Sequence, residues 1–436
     1  MTPLVVGMFS VVAALLFIYI GLWIPIALAG CAFAGVWVIK GSADLAGKLL
    51  ALSAADAVSA YHFGVIPLFV MLGFIVSASG MAGHAYRLCH YAFRRVSGGL
   101  GVSTVAANAL FAAVTGISVA SAAVFAKIAI PEMNRNGYSM QFSAGIVASS
   151  SVLGMLIPPS LLLILYAILA EQSVGHLFLA GVFPGLLMAC GLATGVMLMV
   201  RLLPGLTGDI TAEQSETDSC AATELLRRCL PLFVLITFVI GGIYGGFFTP
   251  VEASAVGCIF ALIIAVVSRS LTIRQFTDVL KNTGKVSSSI CFMIIAARMY
   301  SRMLSISGLP TYLASQIDMV AVSVYGFVFA YVLLIIALGM ILDSASVMLI
   351  VLPLALPIVS GMPIDLVWFG IVTVIAVEIG LITPPFGLSV FVIHSTLNSS
   401  KLSIGDVFRG SAPFILIMIV VLMLVVIFPQ ISLALL

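Results

Sequence analysis

A single carboxylate, Asp343, stands inside a long apolar run, next to the hydroxyl side chains of Ser344 and Ser346. Ionisable groups are costly in such surroundings, so an acid placed there indicates a functional site. Carboxylate and hydroxyl oxygens are hard ligands that suit a hard cation such as Na⁺. The same carboxylate is also well placed to cap the helix that follows it. The two roles are compatible, and the sequence therefore predicts a cation site here.

Four further charged residues lie in or beside apolar segments and have alternative interpretations. Glu378 could contribute to an ion site, fix a hairpin or pair with a buried cation such as Arg298. Arg298 and Arg302 lie one turn apart and share a predicted helix face. A guanidinium there could bind a substrate carboxylate or extend to the membrane interface. Glu252 opens an apolar helix, where an acid favours the helix dipole, so we expect a structural role for it.

Two Pro-Pro pairs, at 158–159 and 384–385, interrupt apolar runs. Proline removes a backbone donor and clashes with the preceding turn, so two in succession break a helix. We therefore predict broken helices at 141–170 and 367–396. Their freed carbonyls suit Na⁺, and the ends of their half-helices suit an anionic substrate. The alternative is that each pair only kinks a structural helix.

Small polar breaks, each containing glycine, interrupt two other apolar runs, at 114–121 and 338–346. The apolar arms on either side are too short to cross a bilayer, which takes about 20 residues. The pattern predicts re-entrant hairpins at 103–130 and 329–356, with their tips at mid-membrane. Non-helical backbone at that depth must line a cavity or be buried in protein.

These breaks define the predicted ligands. The predicted substrate contacts are Ser118, Ser121, Pro159, Ser160, Arg298, Pro385 and Gly387. The predicted Na⁺ ligands are Gly116, Ser118, Gly154, Pro158, Asp343, Ser344, Ser346, Glu378, Thr383 and Pro384. We expect no cofactor apart from Na⁺ as a coupling ion. No paired carboxylates or Ser/His/Asp set is placed for catalysis, so we predict that the chain is not an enzyme.

The composition indicates that these residues are positioned by membrane-spanning helices. Of 436 residues, 62% are hydrophobic and only 8% are charged, whereas soluble domains carry about 25% charged residues. Stretches such as 136–170 and 410–436 contain no Asp, Glu, Lys or Arg. The net charge of +2 gives no nucleic-acid footprint. The sequence predicts an all-α polytopic membrane protein with about 11 to 13 hydrophobic segments.

An internal repeat orders these segments. Gly154-Met-Leu-Ile-Pro-Pro159 resembles Gly380-Leu-Ile-Thr-Pro-Pro385 at an offset of 226, and the same offset aligns Pro131 with Pro357. We predict two inverted repeats, each with one hairpin and one broken helix. The predicted organisation is N-terminal scaffold helices at 1–56, a first repeat at 57–200, a connector with scaffold helices at 201–285, a second repeat at 286–400 and a C-terminal helix at 401–436.

Over nearly its whole length the sequence resembles the large membrane subunit of tripartite ATP-independent periplasmic (TRAP) transporters, the DctM-like permeases. The motifs that carry the resemblance are Ile66-Pro-Leu-Phe69, Ile130-Pro-Glu-Met133, Asn136-Gly-Tyr138, Ile157-Pro-Pro-Ser160, Gly241-Gly-Ile-Tyr-Gly-Gly-Phe-Phe-Thr-Pro-Val-Glu-Ala253, Glu378-Ile-Gly-Leu-Ile-Thr-Pro-Pro-Phe-Gly387 and Phe428-Pro-Gln-Ile-Ser432.

The resemblance implies Na⁺-coupled import of an organic anion across a bacterial inner membrane. The substrate would be a carboxylate, such as a C4-dicarboxylate, a sugar acid, sialic acid or a 2-oxo acid. It also implies two partners, a periplasmic solute-binding protein (DctP-like) and a small four-helix membrane subunit (DctQ-like). The implied fold is of the elevator type, like that of the ion transporter superfamily.

The chain departs from that family at four positions. Ile117 replaces a serine often found at the first hairpin tip, Lys127 replaces a small residue, Ser344 replaces a proline and Ala376 replaces an asparagine. We therefore expect Na⁺ in the first half to rest mostly on carbonyls. The alternatives are another ion-coupled anion transporter without a binding protein, an intramembrane enzyme and a channel.

Overall fold

The computed structural model describes residues 2–207, 222–319, 323–397 and 402–436. Within them the chain is α-helical, with one isolated bridge between Tyr138 and Thr207 and no β-sheet. The predicted all-α class is confirmed. The helices in chain order are α1 (Pro3–Tyr19), α2 (Ile24–Lys40), α3 (Ala43–Ser59), α4 (Val65–Ala78), α5 (Met81–Phe93), α6 (Gly99–Thr115), α7 (Ser118–Arg135), α8 (Met140–Ser151), α9 (Leu153–Leu156), α10 (Leu161–Ala170), α11 (Val174–Leu202), α12 (Ala222–Tyr244), α13 (Pro250–Val267), α14 (Ile273–Ser307), α15 (Leu309–Met319), α16 (Val324–Gly339), α17 (Ser344–Val359), α18 (Leu366–Gly380), α19 (Leu388–Leu397), α20 (Ile404–Ile427) and α21 (Gln430–Leu433).

Several of these helices have the length and apolar character of membrane spans. Five are long enough individually within the described residues: α11, α12, α13, α14 and α20. Two further candidates are bent pairs: α4 with α5, bent by 66°, and the α8–α9 segment with α10, bent by 42°. Most of the other helices are shorter apolar segments, including α6, α16, α17, α18 and α19. This set fits the predicted polytopic membrane protein.

The breaks fall where glycine and proline were expected to place them. Only Gly116 and Ile117 separate α6 from α7, and residues 340–343 separate α16 from α17. The two Pro-Pro pairs lie in the connections between α9 and α10 and between α18 and α19. Each predicted break therefore lies between two consecutive helices. The inverted symmetry, the domain boundaries and the elevator movement stay predictions.

Polar side chains define where many helices begin. Ser139 caps α8, Ser160 caps α10 and Asp365 caps α18, each accepting a backbone N–H of the first turn. Glu252 forms a capping box with Thr249 at the start of α13. The structural role predicted for Glu252 is confirmed.

Close crossings between helices pack the fold together, and one of them involves the first broken helix. α14 packs along α2, α3 and α4, and α20 packs along α8. At the α8–α20 crossing, a Cβ on Gly145 would overlap the carbonyl of Gly410, so only glycine allows the two backbones to approach so closely. Parts of the predicted connector and second repeat, residues 208–221, 320–322 and 398–400, lie outside the described residues.

Candidate functional site

The tip of the first hairpin lies directly on the first Pro-Pro break. The N–H of Leu161 donates to the carbonyl of Gly116 at 3.1 Å. Gly116 has a φ of 63°, and a Cβ there would lie 2.5 Å from the carbonyl oxygen of Pro159. A Cβ on Gly154 would lie 3.1 Å from the backbone of Ile117. Glycine is therefore needed on both sides of this contact.

The tip of the second hairpin contacts the second break through matching positions. The N–H of Gly387 donates to the carbonyl of Met340 at 3.4 Å. A Cβ on Gly380 would lie 2.7 Å from the Cα of Gly339. Gly380 and Gly387 follow Gly154 and Leu161 by 226 positions, the offset of the sequence repeat. The same two positions of each half thus contact the hairpin tip of that half.

Both hairpin tips reach one carboxylate, that of Glu378. The hydroxyl of Ser344 donates to Oε1 at 3.1 Å, and the hydroxyl of Ser118 donates to the same atom at 3.5 Å. Ser344 follows Ser118 by 226 positions, and the two residues begin α17 and α7. The ends of two helices that carry partial positive charge therefore lie beside this acid.

The other oxygen of this carboxylate, Oε2 of Glu378, has no hydrogen-bond partner among the described residues, although the side chain is fully buried. A buried carboxylate oxygen is costly to leave unpaired, and a bound cation is one way to satisfy it. Glu378 does not pair with Arg298, which was one of the alternatives drawn from the sequence. Its position between the tips makes it the centre of the candidate site.

Asp343 caps α17 and also faces a cavity. Its carboxylate accepts the N–H of Ser346 at 3.3 Å and the hydroxyl of the same residue. The predicted capping role is confirmed. The cavity, of about 640 Å³, lies between the second tip, the side chains of Phe386 and Phe391, and residues 18–24, where α1 ends and α2 begins. Its volume is in the range of small-molecule sites.

The two Pro-Pro breaks differ in burial. Pro158, Pro159 and Ser160 are buried, whereas residues 384–386 are exposed. The Ser160 hydroxyl accepts the N–H of Leu163 at 3.2 Å and donates to the carbonyl of Met155. Protein therefore surrounds the first break, while the second borders the cavity beside Asp343.

The hydroxyls of Thr383 and Ser121 are both bonded within the protein. Thr383 donates to the carbonyl of Ile379 at 2.6 Å, one turn earlier in the chain. Ser121 donates to Asn108 at 2.6 Å and is fully buried. Each is placed in its predicted element, and neither hydroxyl forms a hydrogen bond to the Glu378 carboxylate.

Two buried polar contacts were not anticipated from the sequence. In the first half the amide of Asn108 donates to the hydroxyl of Ser150 at 2.7 Å, extending the contact that Ser121 makes with it. In the second half the hydroxyls of Tyr331 and Thr373 lie 3.0 Å apart. Each contact joins a hairpin to its broken helix. The signal that could have found Asn108 is its amide in an otherwise small and apolar segment.

Arg298 lies away from the two tips. Its guanidinium donates to the carboxylate of Glu171 at 2.7 Å and to the carbonyl of Ile168 at 2.6 Å. Both partners are at the end of α10 opposite the Pro-Pro break, about 12 Å along the helix axis at 1.5 Å per residue. The structure therefore does not bring this predicted substrate contact together with the others.

Comparison with known proteins gives a consistent result. Residues 11–431 match the family model described as "Tripartite ATP-independent periplasmic transporter, DctM component". The chain is 33% identical over 391 residues to the C4-dicarboxylate TRAP transporter large permease protein DctM of Pseudomonas aeruginosa, covering 89% of each. It is 29% identical to the sialic acid TRAP transporter large permease protein SiaM of Vibrio cholerae, covering 85% of each.

A longer relative and two solved structures extend the comparison. The isethionate TRAP transporter permease protein DctMQ of Oleidesulfovibrio alaskensis is 29% identical, and the match covers 98% of this chain and 65% of that one. The YdaH transporter of Alcanivorax borkumensis has a TM-score of 0.67 at 14% identity, with 96% and 98% of the two chains covered. MtrF of Neisseria gonorrhoeae has a TM-score of 0.58 at 12% identity, with 86% and 83% covered. These two likenesses concern the fold.

Proposed function

This chain belongs to the DctM family, the large permeases of tripartite ATP-independent periplasmic transporters, and we propose that it imports an organic anion coupled to Na⁺. The observation that carries the proposal is the meeting of both hairpin tips at the buried carboxylate of Glu378. Because this acid contacts both tips, the binding of a cation to it would depend on the positions of the tips. The cavity beside Asp343 supplies adjoining space for a substrate.

The proposed substrate is a small organic anion that carries a carboxylate. Relatives of this chain are named for C4-dicarboxylates and sialic acid, which carry carboxylates, and for isethionate, an organic anion whose charge is on a sulfonate. The N-terminal ends of helices beside the tips favour negative charge on a ligand. Backbone carbonyls at the two breaks, together with the carboxylates of Asp343 and Glu378, are the proposed ligands for Na⁺.

We propose that the chain works with two partners in a bacterial inner membrane. One is a small membrane subunit, in keeping with the longer relative named DctMQ, of which this chain covers 65%. The other is a solute-binding protein of the periplasm, in keeping with the description of the family as tripartite and periplasmic. An ion-coupled transporter that needs no binding protein is the alternative.

Uptake into proteoliposomes tests this function. The vesicles would contain the chain with its small subunit, and the binding protein would be added outside with labelled succinate, sialic acid or isethionate in turn. We expect accumulation above equilibrium only with an inward Na⁺ gradient and with the binding protein present. Accumulation without the binding protein would favour the alternative. If the labelled substrate only equilibrated across the membrane, with or without the Na⁺ gradient, the result would contradict coupled transport.

A further inference from the structure

A second cavity, of about 340 Å³, lies at the ends of α4, α5, α12 and α13. Its charged lining residues are Glu224, Arg227 and Arg228, and the imidazole of His84 and apolar side chains such as Ile264 complete its wall. None of these residues belongs to the hairpins or broken helices. The cavity is therefore separate from the candidate transport site.

The charge around this cavity is positive. Arg228 is paired with Glu224 at 3.0 Å, which accounts for the acid in the lining. His84 and Arg227 have no hydrogen bond or ion pair with the described residues. Arg269 lies between two serines that also line the cavity. An anion would thus find donors that the protein itself leaves unused.

The surroundings place this cavity at a membrane surface. It lies beside the first turns of α12 and the last turn of α13, two helices with the length and apolar character of membrane spans. Next to it, Leu226 and Leu230 are each 54% exposed, and Val267 is 77% exposed. After α13, Arg269 lies in the connecting loop and Arg274 in the first turn of α14, and Lys and Arg beside the ends of membrane spans are typical of the cytoplasmic side.

We propose that this cavity binds the phosphate group of an anionic phospholipid of the cytoplasmic leaflet. Guanidinium groups match phosphate oxygens in a bidentate manner. Basic pockets between helices at the cytoplasmic surface recognise such headgroups. In this arrangement the acyl chains lie along the exposed apolar side chains of α12 and α13. Free phosphate has no acyl chains and makes no contact with these side chains. The apolar flank therefore favours a lipid over a soluble anion.

Native mass spectrometry of the full chain in detergent tests the site. Phosphatidylglycerol, phosphatidylcholine and inorganic phosphate would be titrated separately, and the bound fraction would be measured. We expect phosphatidylglycerol to bind most tightly. Its affinity falls about fivefold or more in the double variant His84→Gln with Arg227→Gln, because two donors to the phosphate are lost. Arg274→Gln, an exposed cation of α14 outside the cavity, is the matched control and leaves the affinity unchanged.

Three results would overturn the proposal. They are equal binding of phosphatidylglycerol and phosphatidylcholine, full binding by the double variant, and inorganic phosphate that displaces the lipid at equal concentration. If the double variant does not fold, Arg227→Gln alone decides, because this exposed side chain supports no contact within the described residues. The melting temperature in detergent without lipid shows whether each variant is folded.

Discussion

The two halves of the chain contact their hairpin tips through the same two positions but surround them differently. In the first half, residues 158–160 are buried and the tip is enclosed by protein. In the second half, residues 384–386 are exposed, and a cavity of about 640 Å³ lies beside Asp343. Shared tip contacts therefore do not require shared surroundings. The first half presents a closed tip, and the second presents one that borders space for a ligand.

The halves also differ in the polar contacts behind the tips. Asn108 bridges Ser121 and Ser150 in the first half, whereas Tyr331 meets Thr373 in the second. The equivalents of these residues in the opposite half are apolar. The repeat thus preserves the tip contacts and varies the way in which each hairpin is fixed to its broken helix.

Replacing either Pro-Pro pair with Ala-Ala is expected to have the largest effect. Each helix could then close its own hydrogen bonds, and the carbonyls at the break would no longer face a ligand. We expect uptake to fall about tenfold or more in both variants, as for other misplaced sites. Only the variant at 158–159 should also lose thermal stability, since only that pair is buried. Full uptake by both variants would mean that the pairs are kinks.

Alanine at Gly116, in the first tip, and at Gly387, which contacts the second tip, is expected to reduce stability by different amounts in the two halves. At Gly116 the added Cβ would meet the backbone carbonyl of Pro159, which cannot move aside. At Gly387 it would meet the ring of Phe408, which can rotate. Both have positive φ, so we expect losses of about 3 kcal/mol for Gly116→Ala and about 1 kcal/mol for Gly387→Ala. Denaturant unfolding in detergent measures both, and equal losses would contradict the comparison.

Removing the unanticipated polar contacts should have a smaller effect. Asn108→Leu leaves the hydroxyls of Ser121 and Ser150 without this amide, at a cost of about 2 kcal/mol. Tyr331→Phe costs about 1 kcal/mol, because Thr373 still donates to the carbonyl of Phe369. The same unfolding measurement applies. A larger loss for Tyr331→Phe would show that the second half depends more on its polar contact.

Asp343→Asn is expected to change Na⁺ dependence modestly. Asparagine caps a helix as well as aspartate does, so stability should be kept. The carboxylate borders the cavity and is only partly buried, so solvent screens its charge. We expect the Na⁺ concentration for half-maximal uptake to rise about threefold. Asp44→Asn, an exposed acid of α3, is the control and should change nothing. An unchanged value for Asp343→Asn would exclude its role in ion binding.

The positions of the helix breaks could be predicted from the sequence, but the contact of both hairpin tips with Glu378 could not. Glycine and proline have local backbone effects, so the breaks at Gly116 and at the Pro-Pro pairs could be predicted. Ser118 and Glu378 are separated by 260 positions, and no periodicity shows that their side chains touch. The same reason explains Arg298, whose partner Glu171 lies 127 positions away.

Which of the two Pro-Pro breaks is buried could not be predicted from the sequence either. Both breaks contain a Pro-Pro pair, yet residues 158–160 are buried and residues 384–386 are exposed. What decides this is which helices pack around each break, and that depends on contacts throughout the chain. Composition predicts that such segments lie within an apolar fold, but it does not predict which of them is exposed.

The most direct test of the account is the Na⁺ dependence of uptake by Glu378→Gln. Glutamine can still accept the hydroxyls of Ser118 and Ser344, so the tips should keep their positions while the negative charge is lost. Because the charge is buried and unscreened, we expect half-maximal uptake to need about tenfold more Na⁺. Glu132→Gln, which removes an acid at the far end of α7, is the control. An unchanged Na⁺ dependence in folded Glu378→Gln protein would contradict the proposal that this carboxylate couples the two tips to the ion.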